Sequence, residues 1–86
     1  MKKIKNKGRA GKTKSGELVL INGEGQIFPV DNVAVSIWYM CDGTVTSEDL
    51  VKEISQKTKQ EESAVREMVD RLVGEMEKVG LMESIE

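Results

Sequence analysis

Val30-Asp31-Asn32-Val33-Ala34-Val35-Ser36-Ile37-Trp38-Tyr39-Met40-Cys41-Asp42-Gly43-Thr44-Val45-Thr46 is the stretch on which the fold turns. Ala34, Ile37, Trp38 and Cys41 recur at i, i+3, i+4 and i+7, which sets four side chains on one face of a helix. Val33, Val35 and Met40 widen that face, so a largely buried helix is expected over residues 33–41. Asp31-Asn32 supplies side-chain oxygens for its open N–H groups. Asp42-Gly43 ends it, with Gly43 suited to a left-handed cap. Thr46 begins a second helix, with Asp49 three residues on as a weaker capping box and Val45 and Leu50 as a hydrophobic staple. Leu50, Val51 and Ile54 form its stripe, and it fades near Lys57.

Downstream, residues 61–79 make the strongest helical pattern. Ala64, Val65, Met68, Val69, Leu72, Val73, Met76 and Val79 form doublets every four residues, a stripe wider than a bundle seam needs. Such width has two readings: a helix packed on two sides within a small core, or spare apolar surface for a partner. Arg66–Asp70, Glu67–Arg71 and Arg71–Glu75 are opposite charges at i, i+4. Gly80 closes the helix, and residues 81–85 are expected as a last short strand.

Upstream, residues 17–31 read as a hairpin. Leu18-Val19-Leu20-Ile21 is one strand, Asn22-Gly23 the tight turn, and Gln26-Ile27-Phe28-Pro29-Val30 the return. Pro29 lacks an N–H, which demotes that return to a sheet edge or a strand end. Residues 1–16 carry Lys2, Lys3, Lys5, Lys7, Arg9, Lys12 and Lys14 with three Gly and no acid. They read as a flexible basic arm ahead of a domain over 17–86. The arm is either a solvated tail or an electrostatic contact to an acidic partner or phosphate. From Ser15 to Glu86 there are 6 basic and 15 acidic residues, so an acidic body follows the arm.

Composition removes most chemistry. At 86 residues the chain has a thin core and no room for a pocket walled on all sides. There is no His, and Cys41 is the single Cys, so neither an imidazole base nor a Cys-cluster zinc site is available. Cys41 reads as a small core hydrophobe, and the glycines do not have the spacing of a phosphate loop. No apolar run approaches the ~18 residues of a membrane span, and no secretory h-region follows the arm. A free Cys and no export signal fit a reducing cytoplasm. The expectation is a non-enzymatic binding protein with no cofactor and no metal.

Two binding modes suit it. The order hairpin, helix, helix, long helix, short strand is compatible with a winged helix-turn-helix, an α+β fold with a hairpin or three-stranded sheet on three helices. DNA binding would then use the long helix. Residues 61–79, however, hold Arg66, Arg71 and Lys78 against six acids, which repel phosphate. Nucleic acid is therefore disfavoured. The second mode is addition of a peptide strand to the edge at 26–30, beside the wide stripe. A bare protein–protein adaptor forming a dimer is a further alternative, since a short edge strand invites exchange.

The pattern Val30-Asp31-x-x-Ala34-x-x-Ile37-Trp38-x-Met40-Cys41-Asp42-Gly43-x-x-Thr46 resembles the signature of the pyrroloquinoline quinone biosynthesis protein D family. The later spacing of Leu50, Ile54, Val65, Met68, Val69 and Leu72, and the closing Lys78-x-Gly80-Leu81, are similar too. The resemblance covers roughly residues 17–84. It departs at Val30-Asp31, where the family has Leu-Asn, and in the arm, where the family's first strand is not recognisable. The resemblance implies a small winged-helix-like protein that binds the leader of a ribosomally made precursor peptide. Such a protein presents the leader to a modifying enzyme, often a radical S-adenosylmethionine enzyme. The leader adds as a strand beside the third helix. On this chain the implied edge is Gln26, Ile27, Phe28 and Val30, and the implied groove wall is Val65, Met68, Val69 and Leu72. Arg66 and Arg71 would pair with acids of an acidic leader.

Overall fold

Asp31 caps the first helix as its short carboxylate allows: its backbone is extended, and its Oδ1 accepts the Ala34 N–H at 2.8 Å. In this computed structural model, which describes residues 3–85, that helix is α1, Asn32–Met40. Ala34, Ile37 and Trp38 are its buried face, as the spacing requires. Helix α2, Ser47–Thr58, starts at Thr46 with the full capping box: Thr46 Oγ1 accepts from the Asp49 N–H, and Asp49 Oδ2 accepts from the Thr46 N–H. Lys59 ends it in the left-handed region. Helix α3, Glu62–Lys78, closes on a Schellman motif. There Gly80 lies at φ +79°, its N–H donates to the Glu77 carbonyl, and the Leu81 N–H donates to that of Met76 at 2.8 Å.

The strands form two three-stranded antiparallel sheets, so the fold is α+β with three helices. One sheet is the meander β2 (Arg9–Lys12), β3 (Leu18–Ile21) and β4 (Ile27–Pro29), with β3 central. The expected hairpin is thus two thirds of a three-stranded sheet. Its connection differs from the tight Asn22-Gly23 turn. The Gly25 N–H donates to the Asn22 carbonyl and the Asn22 N–H to that of Gln26, so three residues span the gap. The positive φ falls on Gly25, at +82°, in the glycine-bulge form of a three-residue hairpin loop.

The other sheet has the order β5-β1-β6, from β1 (Lys3–Asn6), β5 (Asp42–Thr46) and β6 (Met82–Ile85). Here the structure corrects the sequence reading twice. Over residues 3–12 the expected flexible arm is two strands, one in each sheet; Met1 and Lys2 lie outside the described residues, as does Glu86. Ile4 is what holds β1: it is buried in the core between Val45 and Ser84 of the flanking strands. The first helix stops at Met40 with Cys41 as its C-cap, so the second correction concerns the pair expected to cap it, Asp42-Gly43. It opens strand β5, with a register shift against Ile4 and Lys5 that accommodates Gly43 at φ +92°.

The basic charge has a structural use. Lys5 lies opposite Asp42 on one side and Glu83 on the other, and Lys7 Nζ is 3.5 Å from Glu83 Oε2. Opposite charges across a ladder stabilise it by a fraction of a kcal/mol each. The charge asymmetry of the sequence is therefore met in part within the chain.

Trp38 ties the two sheets together. Its indole N–H is shared between the carbonyls of Lys7, at 3.2 Å, and Leu81, at 3.0 Å. Lys7 and Gly8 form the passage from β1 to β2, and the Lys7 N–H donates back to the Leu81 carbonyl. Asn6 adds a side-chain bond to the Trp38 carbonyl. Around this point Leu20, Ile37, Leu50, Val51, Val69 and Leu81 fill the core.

Candidate functional site

Strand β4 is an edge, and its hydrogen-bonding parity shows which groups are open. Asn22 N–H donates to Gln26 C=O and Val30 N–H to Leu18 C=O, both at 3.1 Å, while Leu20 lies opposite Phe28. In an antiparallel ladder these bonded positions alternate with outward ones. Gln26, Phe28 and Val30 therefore turn their main-chain groups to β3, and Ile27 and Pro29 turn theirs outward. The donor that Pro29 lacks falls on the open side. Between Ile27 and Pro29 the edge offers two carbonyls and a single N–H.

Beside that edge runs a groove made of two adjoining hollows. The inner hollow, of about 340 Å³, lies between Phe28–Asp31 and the C-terminal half of α3, where Leu72, Met76 and Val79 form the wall. The outer hollow, of about 180 Å³, continues past Val33 to Met68 and Arg71. Asp31, Ala34, Leu72 and Glu75 line both, so they mark the waist where the hollows meet.

Asn22 sets the spacing of the groove. It is buried, and its Nδ2 donates to the Val79 carbonyl at the end of α3 at 2.8 Å and to Gln26 Oε1 at 2.9 Å. Its Oδ1 accepts the N–H groups of Glu24 and Gln26, each at 3.0 Å. One side chain thus locks the β3–β4 loop and pins it to α3. Sequence reasoning saw Asn22 only as a turn residue; its partner lies 57 positions away, and no local pattern reports that.

The expected site residues divide. Phe28, Val30, Met68, Arg71 and Leu72 line the groove. Ile27 stands on the edge, 62% exposed. Gln26 is spent on the Asn22 contact and borders a separate polar depression with Lys7, Glu24 and Lys78. Val65 and Val69, expected as groove wall, are at 1% and 0% exposure in the core and present nothing to the groove. The wide stripe of α3 is two rows: Val65, Val69, Val73 and Met76 face the core, while Met68, Leu72 and Val79 are partly buried beside them. Met76 also reaches the inner hollow.

Arg66 is turned away as well. Its guanidinium forks onto both carboxylate oxygens of Glu48, Nη2 to Oε2 at 3.1 Å, joining α3 to α2. That pairing, rather than one with Asp70, holds the Glu48 carboxyl below its ordinary range and raises the guanidinium. Arg71 pairs with Glu67 at 3.5 Å, as one of the expected i, i+4 contacts.

Catalytic groups do not gather here. Cys41 is fully buried, and its thiol is pushed up to about 11, first by burial and then by the charge of Asp42. A thiol so protonated is a poor nucleophile. Among the described residues no three His, Cys, Asp or Glu side chains come together as a metal site, and no helix is long and apolar enough to cross a membrane.

Fold and site together define a small α+β domain with an apolar groove between an open strand edge and a helix. The chain belongs to the coenzyme PQQ synthesis protein D (PqqD) family, whose model matches residues 17–82. Strands β1 and β2 lie ahead of the matched segment, where the sequence showed no family strand. No curated protein and no solved structure matches the chain.

Proposed function

We propose that this protein is a peptide-recognition element. It binds the leader of a ribosomally made precursor peptide as an added strand along β4 and presents it to a modifying enzyme of the radical S-adenosylmethionine class in the cytoplasm. It performs no chemistry on the peptide. The observation that carries the reading is the apolar groove alongside the open edge at Ile27 and Pro29. Main-chain bonds to the edge set the register of the added strand, and alternate side chains entering the hollows set selectivity. Ordering a flexible leader costs ~2–5 kcal/mol of the gross interaction energy, so the apolar contacts with Phe28, Leu72, Met76 and Val79 must exceed that. Binding then raises the concentration of the core peptide at the enzyme. Family membership supports a role as an accessory protein in biosynthesis.

The test is affinity capture of the tagged protein from its source cells, with mass spectrometry of bound peptides and proteins, beside a Leu72→Glu variant. The reading expects a short ribosomal peptide and the enzyme to be recovered with the parent chain. It expects the peptide to be lost with the variant, whose helical circular dichroism stays unchanged. Recovery of nuclease-sensitive DNA instead, with log–log salt dependence of binding, would replace it with a DNA-binding role.

A further inference from the structure

We infer that the groove selects a basic strand: one Lys or Arg seated at the waist between Asp31 and Glu75, with apolar side chains at alternate positions filling the two hollows. This rests on the peptide-binding reading above and gives its ligand a charge. Neither of the cations expected to attract an acidic peptide lines the inner hollow. Arg66 is forked onto Glu48 on a face away from the groove, and Arg71 is held by Glu67 and borders the outer hollow alone. The two carboxylates at the waist, by contrast, line both hollows, and neither is in an ion pair among the described residues. Asp31 gives one oxygen to the Ala34 N–H, and its charge is partly offset by the start of α1. Glu75 has no such offset. It sits in the last turns of α3, whose C-terminal dipole adds to the negative field.

The strand edge points the same way by a separate route. Its outward groups are two carbonyls against one N–H, because Pro29 supplies no donor. Main-chain bonds of the added strand can use the single outward N–H, which leaves the edge with acceptors in excess, and ammonium and guanidinium groups are donors only.

The experiment is selection from a displayed library of random dodecapeptides against the full chain at low salt. The enriched peptides are then synthesised with Lys, Gln or Glu at the selected basic position, and binding is read by fluorescence anisotropy. The expected result is enrichment of one Lys or Arg among alternating apolar residues, and roughly tenfold weaker binding for Lys→Glu, since attraction becomes repulsion at a partly exposed site. Glu75→Lys, at an exposed position, should reverse the ranking of the Lys and Glu peptides, and Asp31→Asn should narrow it while keeping the capping oxygen. Acidic or uncharged winners that still shift the Ile27 and Leu72 amide resonances would overturn the selectivity and leave the groove standing. An unchanged ranking with Glu75→Lys would do the same. Winners that shift neither amide, or no enrichment at all, would remove the groove reading and the selectivity with it.

Discussion

The two sheets are alike in size and opposite in construction. The β2-β3-β4 sheet is a local meander around an apolar central strand, Leu18–Ile21. The β5-β1-β6 sheet gathers strands from the start, middle and end of the chain around Lys3–Asn6, which buries one large apolar side chain, Ile4. The first sheet carries its own reason to form. The second joins strands that lie far apart in sequence, with α1 between β1 and β5 and with α2 and α3 between β5 and β6. One sheet presents the open edge of the groove; the other spends its charges on itself, with Lys5 between Asp42 and Glu83.

The sharpest way to break this contrast is at the joint. Gly8 lies at φ +81°, and a Cβ there would stand 2.0 Å from the Ile21 carbonyl oxygen. Gly8→Ala should cost about 3–5 kcal/mol, from backbone strain and overpacking together, or prevent folding. Gly16, at φ +86° with open space around it, is the control: Gly16→Ala should cost about 1 kcal/mol, from strain alone. Urea titrations of both variants measure the gap, and equal midpoints would show that the joint is not rigid.

Next in size is Ile4→Ala, expected to cost about 2–4 kcal/mol as a buried truncation. Amide exchange should then rise in β1, β5 and β6 while β3 keeps its protection. Simultaneous loss in both sheets would mean that they form one cooperative unit and that the contrast is one of sequence origin only.

The smallest effect expected is that of the Glu48–Arg66 fork, which belongs to neither sheet. Its carboxylate is lowered from an ordinary value of 4.5 chiefly by the Arg66 hydrogen bonds. Protons therefore bind the unfolded chain more readily, and the pair's contribution is full above that value and fades as the pH falls through the lowered one. Thermal melts of Arg66→Met should fall below the parent at pH 6 and converge with it at strongly acid pH. A constant difference would assign the loss to packing of the Arg stem instead.

What was legible in the sequence follows the same division. The helices were readable because Ala34, Ile37 and Trp38, or Val65, Val69 and Val73, repeat within a few residues and bury together. The hairpin was readable for the same local reason. Strand β1 was not, since a single Ile among Lys and Asn has the composition of a tail until the strands carrying Val45 and Ser84 flank it. The site was half legible. Phe28, Val30, Met68 and Leu72 line the groove, whereas Val65 and Val69 sit in the neighbouring row of the same stripe. One residue along a helix is a 100° turn, and the sequence does not say which row meets the core. Arg66 pairs with Glu48, 18 positions away, rather than with Asp70 at i+4, and the fork onto both Glu48 oxygens joins two helices that no local pattern brings together.

In the β1–β6 ladder Lys3 stands directly opposite Ile85. The two ends of the described chain therefore leave the domain side by side, at the margin farthest along that ladder from Asn6 and Met82. A short linker between them would close the polypeptide into a ring, and the ring could be reopened at an exposed loop tip such as Gly23–Glu24 without cutting a strand. The same geometry allows the domain to be spliced into a surface loop of another protein as a compact insert, with both junctions emerging at one place.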